Sequence, residues 1–425
     1  MRRHSLRALI QRQATIATAC LAVVLAGCAG APDLGQGSAA PAPQQLDSMQ
    51  LARIDAAIGT ALAERRMPGA VFHLERGASS HQRAYGRFGY EPGAAAVAPG
   101  TVFDAASLTK VLATAPAILL LAEDGKLDLE AKLVDYFPEC AGGGKDAITI
   151  RHLLTHTSGL RAGLPAAPEW SGDAGAHALA CSQAVTHAPG TLFRYSDINY
   201  ILLGQLVERV SGMRIDAFAQ QRIFAPLGMK DTGYLPLRRM PPHAIAPTQQ
   251  APQAGAPAPH GDLAAGATLQ GVVHDPTVRR MGGVAGSAGV FSTVHDIARY
   301  ARMLLGEGEL DGVRVLSRTS VRLLSTVQTP PGIDALRGMG MDIDSPYAQR
   351  PRGTLFPVGS YGHTGFTGCV LWIDPATRSF YVFLSNRVYP DGTANVLPLY
   401  TQLGTLSALA AQRAPGTAGS SRPVP

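Results

Sequence analysis

The stretch "FDAASLTKVLATAPAILLLAEDGKLDL", Phe103 to Leu129, decides how the rest of the chain is read. Its centre is apolar on nearly every side, so it has no solvent face and reads as a helix of about 18 residues buried in the middle of a fold. Gly125 closes it as a C-terminal cap. Two polar side chains stand near its start, Ser107 and Lys110, three apart and therefore on one face. A buried ammonium is costly unless it has a partner or a task. A serine hydroxyl is a poor nucleophile until a base removes its proton, and a desolvated lysine can be neutral enough to act as that base. The free N–H groups of a helix start add positive potential for a developing oxyanion. The expectation is a nucleophile at Ser107 activated by Lys110.

Outward from that helix, residues 47–66 carry apolar positions at helical spacing, and "GAVFHLERG" and "HQRAYGRFGY" read as a pair of strands. Residues 127 to about 235 break into short helical pieces such as "TIRHLLTHTSGL" and "INYILLGQLVERVSG", before a Pro-, Ala- and Gly-rich loop from Pro241 to Gly271. "GGVAGSAGVFSTVHDIARYARMLLGEG" returns to helix. "SYGHTGFTG", "CVLWIDPATRS" and "FYVFLSNRV" form an antiparallel meander, and "LGTLSALAAQR" ends in a helix. This order predicts an α/β protein of the α+β type, with one antiparallel sheet assembled from both ends of the chain. The sheet domain is expected from residues 47–126 and 282–412, with a helical region inserted at 127–281 and a disordered tail at 413–425.

Apolar residues make up 46% of the 425-residue chain and charged residues 16%, the balance of a globular protein long enough for a full core. The net charge of +6 comes mostly from arginine, lysine occurring only five times. No dense basic block follows the N-terminus, so nucleic-acid binding is not suggested. The N-terminus has the layout of an export signal: "MRRHSLRALIQRQ" is positive, "ATIATACLAVVLAG" is apolar, and "LAGC" ends at Cys28. That tetrapeptide resembles the lipobox of bacterial lipoproteins; a cleaved signal with a chance cysteine is the alternative. The resemblance makes residues 1–28 a lipoprotein signal and Cys28 a lipidated membrane anchor. Ala29, where an inner-membrane retention signal has Asp, implies the outer membrane. Residues 29–46 follow as a flexible stalk. No other apolar run reaches the ~20 residues that span a bilayer. Cys140, Cys181 and Cys369 resemble no metal knuckle, and both a Cys140–Cys181 disulfide and three buried free thiols are open.

Two further segments bear on chemistry. "LFRYSDINYILLG" puts Tyr195 on a loop just before a helix, and "SYGHTGFTG" puts His363, Thr364 and Gly365 on a strand. With Ser107 to Lys110, and in this order, they resemble the SxxK, YxN and K/HTG elements of the penicillin-recognising serine hydrolases. That superfamily includes class C β-lactamases, D,D-carboxypeptidases, D-aminopeptidases and related esterases. The resemblance runs from about residue 50 to about 410 and takes in "LLTHTSGL", "GGVAGSAGVFST" and "FLSNRVYPDG". It implies a β-lactamase/transpeptidase-like fold, an antiparallel sheet flanked by helices. It also implies that Ser107 forms an acyl-enzyme, that Lys110 and Tyr195 share the proton traffic with Tyr195 as general base, and that the N–H groups of Ser107 and Phe366 form the oxyanion hole. Thr364 and Gly365 would line an extended substrate, and His363 would help bind its polar end. No metal and no cofactor is expected.

Two residues depart from the pattern. Asp197 replaces the usual Asn, exchanging a donor for an acceptor-only carboxylate. It is expected to pair with Lys110, keep it charged and so lower the pKa of Tyr195. His363 replaces Lys and weakens the fixed charge for a substrate carboxylate, which disfavours a true β-lactamase. The implied function is a lipid-anchored, periplasm-facing serine hydrolase acting on peptide, amide or ester bonds of a small molecule or cell-wall peptide. The alternative is a penicillin-binding sensor or degenerate relative that acylates without turnover. His156 and His274 read as structural hydrogen-bonding residues, and Cys369 as packing. No GxSxG elbow, HExxH or Walker motif is present.

Overall fold

The computed structural model describes residues 45–251, 263–264 and 266–412. The export signal, the Cys28 anchor, nearly all of the 29–46 stalk, the centre of the Pro241–Gly271 loop and the 413–425 tail lie outside the described residues.

Asp47 accepts hydrogen bonds from the Met49 and Gln50 amides at 2.9 and 3.1 Å and so caps helix α1 (Ser48–Ala63). The hairpin β1 (Gly69–Arg76) and β2 (Ser79–Gly86) follows. The central apolar run is helical throughout but changes pitch. It opens with a 3₁₀ turn at Ala106–Leu108, widens to a π turn at Lys110–Thr114 and continues as α2 (Ala115–Glu123). Pro116 lies in the first turn of α2, where its missing N–H is tolerated. Gly125 at φ +68° ends the run, as expected. By length and hydropathy Ala106–Glu123 would suit a bilayer, but 83% of it is buried inside this fold, which makes it a core helix.

The middle of the chain supplies α3 (Ile150–Leu154), α4 (Gly172–Ser182) and α5 (Asp197–Ser211). Helix α6 (Val294–Leu305) precedes the strands β3 (Leu336–Arg337), β4 (Asp342–Asp344), β5 (Tyr361–Gly365), β6 (Cys369–Asp374) and β7 (Ser379–Ser385). Helix α7 (Leu397–Ala411) closes the fold. The seven strands form one antiparallel sheet in the order β2-β1-β7-β6-β5-β4-β3. At its centre Ala70 of β1 pairs with Ser385 of β7, so the sheet draws on both chain ends as expected. Strands β3 and β4 were not expected. They are two and three residues long, too short for a period-2 pattern to register.

Side chains alternate between two covered faces. Phe72, Leu74, Trp372 and Phe383 pack against Ile54 and Ile58 of α1 and Leu403 of α7. Val71, Leu371, Val382 and Leu384 turn the other way, towards Leu112, Ile118 and Ile297. The helix that begins at Ser107 is thus held between the sheet and the helical region. The segment around Gly286 lies directly on α5: a Cβ there would stand 2.1 Å from the Tyr200 carbonyl oxygen, so only glycine fits. Cys140 and Cys181 are joined in a disulfide, and Cys369 is a buried free thiol.

Candidate active site

Asp104, fully buried, organises the nucleophile turn. Its carboxylate accepts from the Ala106 amide at 2.8 Å and the His274 amide at 2.7 Å. Burial pushes its pKa up to about 6, against the pull of those two bonds. Ala106 is held at φ +46°, a left-handed conformation that costs a residue with a Cβ roughly 1–3 kcal/mol. This tight bend sets Ser107 at the start of the helical run.

Lys110 is fully buried at the centre of the site. Its Nζ donates to Ser107 Oγ at 3.1 Å and to the Ser287 carbonyl at 2.8 Å, and pairs with Asp197 Oδ1 at 2.7 Å. The Tyr195 ring centre lies 5.1 Å from Lys110 Nζ, and Tyr195 lines the cavity with Ser107. An ammonium has three N–H groups, and Ser107 Oγ, the Ser287 carbonyl and the Asp197 carboxylate match that number. The Ser287 carbonyl and the Asp197 carboxylate can only accept. The Ser107 hydroxyl can also donate, and that direction is where a proton can move.

Burial alone would strip the proton from Lys110, but Asp197 and then Tyr195 outweigh it and its pKa is raised. Burial also raises Tyr195; Lys110 pulls it down, Asp197 pushes it up again, and it ends raised. The Lys110–Asp197 pair is the one expected. Asp197 favours the charged form of Lys110, also as expected, but the Tyr195 pKa is raised rather than lowered, because burial first and Asp197 second outweigh the pull of Lys110. Asp275, not singled out from sequence, is a second carboxylate whose pKa is raised by burial and by Asp197.

Tyr195 packs on the His156 ring at 4.4 Å and on Tyr347 at 5.3 Å between ring centres. His156 Nδ1 accepts from the Ser196 amide at 3.1 Å, which fixes the loop carrying Tyr195. His156 is structural, as expected. Burial, with help from Arg337 and Lys110, holds both His156 and His363 well below the ordinary histidine range. His363 donates from Nδ1 to the Thr364 carbonyl at 2.8 Å and is neutral, so it brings no cation to the polar end of a substrate. Arg337 was missed. It is fully buried, pairs with Asp342, and lies 5.5 and 6.0 Å from the ring centres of Phe193 and Tyr195. Its only trace in the sequence is an arginine five residues before an aspartate in "LRGMGMD".

Ser107, Tyr195, His363, Thr364, Gly365 and Phe366 line one cavity of about 390 Å³, with Lys110 behind them and Asp197 reaching Lys110 from the start of α5. Tyr347, Arg350, Arg387, Val396 and Leu397 line it as well. A Cβ on Gly365 would meet the Ala105 carbonyl at 2.4 Å, so the end of β5 and the nucleophile turn are in contact through glycine alone. Cys369 packs beneath them, its thiol pushed up to about 12 by burial, which suits the packing role expected. His274 stacks on Phe366 with ring centres 5.8 Å apart.

Comparison with known proteins supplies the family. The chain is 33% identical over 308 residues to an Escherichia coli (strain K12) protein named "Putative D-alanyl-D-alanine carboxypeptidase", covering 68% of this chain and 69% of that one. A Salmonella agona (strain SL483) protein of the same name is 32% identical over 343 residues, 72% of this chain and 74% of its own. Among solved structures, EstCE1, a hydrolase with promiscuous acyltransferase activity, is similar in fold at a TM-score of 0.66 and 21% identity, over 85% of this chain and 99% of that one. The octameric penicillin-binding protein homologue from Pyrococcus abyssi gives 0.63 at 21% identity, over 86% and 79%. The sequence profile of the beta-lactamase family matches residues 54–405. With that match spanning the sheet, the Ser107 helix and the Thr364 strand alike, the chain belongs to the beta-lactamase family of serine hydrolases.

Proposed function

We propose that this chain is a lipid-anchored, periplasm-facing hydrolase that opens peptide, amide or ester bonds through an acyl-enzyme on Ser107, with D-alanyl-D-alanine peptides its first substrate class. The observation that carries the reading is Ser107 hydrogen-bonded to Lys110 at 3.1 Å, with the Tyr195 ring centre 5.1 Å from the same ammonium, on a cavity edged by Thr364, Gly365 and Phe366. The carboxypeptidase names of the relatives support the peptide class.

Lys110 and Tyr195 titrate as a pair. Once the pair has lost one proton, the Tyr195 phenolate, held by the Lys110 ammonium, takes the proton of Ser107 as Oγ attacks the substrate carbonyl. The N–H groups of Ser107 and Phe366 receive the developing oxyanion. Tyr195 then passes its proton to the leaving amine or alcohol, and water repeats the sequence to release the acid. Because burial holds His363 well below the ordinary histidine range, the cation for a terminal carboxylate is drawn from the two arginines on the cavity lining, the exposed Arg350 first and Arg387 second, with Val396 and Leu397 on the same lining for a small apolar side chain.

The test is a fluorophosphonate, which should add one mass increment to the peptide carrying Ser107. Labelling that survives in Ser107→Ala overturns the assignment. Rates on a diacyl-lysyl-D-alanyl-D-alanine peptide, a muropeptide amide, a short-chain ester and a β-lactam then rank the substrate classes. A stoichiometric burst without turnover on all four would make the chain a penicillin-binding sensor instead.

A further inference from the structure

Phe366 is 59% exposed, so packing does not by itself fix the direction of its backbone N–H. It sits in the turn from Gly365 to Gly368, closed by the Gly368 amide on the Gly365 carbonyl at 3.0 Å. That bond orients the peptide plane that carries the Phe366 N–H. The next two planes of the turn are held by one residue from the far side of the sheet's last strand, Arg387. Its Nε donates to the Phe366 carbonyl at 2.7 Å, and its own backbone amide donates to the Thr367 carbonyl at 3.1 Å. Its guanidinium carbon lies 4.4 Å from the centre of the Phe366 ring. A further guanidinium nitrogen donates to the Ala394 carbonyl at 2.9 Å, tying the turn to the 393–397 segment of the cavity wall.

We propose that Arg387 is a positioning residue for the oxyanion hole: its guanidinium locks the Gly365–Gly368 turn so that the Phe366 N–H points where the carbonyl oxygen gains charge, and it couples that turn to the wall the substrate leans on. The inference rests on Ser107 being the acyl-enzyme nucleophile. Only arginine satisfies it, because a planar fork can reach two carbonyls and lie over a ring at once, whereas an ammonium is a single point donor. A donor displaced by a fraction of an ångström serves the ground state nearly as well but the transition state poorly.

The experiment compares Arg387→Met and Arg387→Lys with the parent protein. On an ester substrate, kcat should fall about 10- to 100-fold in Arg387→Met with KM nearly constant, the scale of a misplaced catalytic donor. Arg387→Lys should recover only part of the loss. Amide hydrogen exchange over residues 365–368 should speed up by about tenfold or more in Arg387→Met, while exchange in β6 stays as it was. Unchanged exchange at the turn overturns the inference, whatever the kinetics. So does a loss that appears in KM rather than kcat, since Arg387 would then bind substrate directly. If the parent protein is neither labelled at Ser107 nor active, the hydrolase reading falls on that result, and exchange still decides whether Arg387 holds the turn.

Discussion

Asp197→Asn removes a negative charge 2.7 Å from Lys110 Nζ and leaves the size of the side chain unchanged. In the proposed mechanism the Lys110–Tyr195 pair must be one proton short, and Asp197 opposes that loss from either member. Removing its charge therefore makes the proton easier to lose, and the acidic limb of kcat/KM moves to lower pH. At 2.7 Å a pair of unit charges is worth about 1.5 kcal/mol at the dielectric of water and about 6 kcal/mol at an effective value of 20. Asp197 is 37% exposed, so the watery end governs. Asp275 also ionises more readily once Asp197 is neutral and returns part of the lost charge. His156 and His363 face the same cluster, and burial holds both well below the ordinary histidine range. At roughly 1.4 kcal/mol per pH unit, the limb should shift down by about one unit. The assay is a pH–rate profile of both proteins on one ester. A limb that moves up would mean that Asp197 mainly supports the phenolate through Lys110, the effect suggested by sequence alone, and would refute this proton accounting. Asn also restores a donor towards substrate, so acylation by a fluorescent penicillin should rise several-fold, roughly 1 kcal/mol.

Lys110→Met and Tyr195→Phe should each depress turnover nearly as far as Ser107→Ala, because groups that act as a unit are not additive; a double variant much worse than either single one would contradict this. Gly286→Ala should cost about 1–3 kcal/mol by overpacking on α5, and should lower kcat by dislodging the neighbouring Ser287 carbonyl from Lys110. Thermal melts and rates on the folded variant check the two effects. Replacing both Cys140 and Cys181 by Ser frees a loop of 41 positions and should lower stability by about 4 kcal/mol at most on chain-entropy grounds, read by denaturant unfolding. Cys28→Ser should leave an unprocessed precursor or move the protein to the soluble fraction; unchanged mature size and unchanged membrane association would remove the lipid-anchor proposal.

Much of this architecture was legible because it rests on local patterns. The apolar run after Ser107 could only be a core helix, and the alternation in "CVLWID" and "FYVFLS" could only be strand. Ser107 and Lys110 were found by helical spacing, and Tyr195 only through the resemblance of its segment to the family's YxN element. What stayed hidden depends on distances between residues far apart in the chain. Arg337 and Arg387 look like ordinary surface charges until the sheet places them under Tyr195 and across the Phe366 turn. The effect of Asp197 on two pKa values at once required knowing how close it lies to both groups.

The sheet's central seam has a consequence for how the chain reaches this structure. Strand β1 finds its partner β7 only after more than three hundred intervening positions, so one edge of β1 stays unpaired until the end of the chain arrives. Closing a loop of that length costs about 5 kcal/mol in chain entropy before any contact offsets it. Such non-local pairing slows folding, and the order of synthesis makes the wait unavoidable: the N-terminal hairpin is complete long before its neighbour exists. The Asp47 amide nevertheless ends up 3.0 Å from the Ala410 carbonyl, so the two ends of the fold lie side by side. Joining them by a short linker and opening the chain within the Pro241–Gly271 loop would turn the seam into a nearby pairing. That permuted chain should refold markedly faster than the parent while keeping the same cavity.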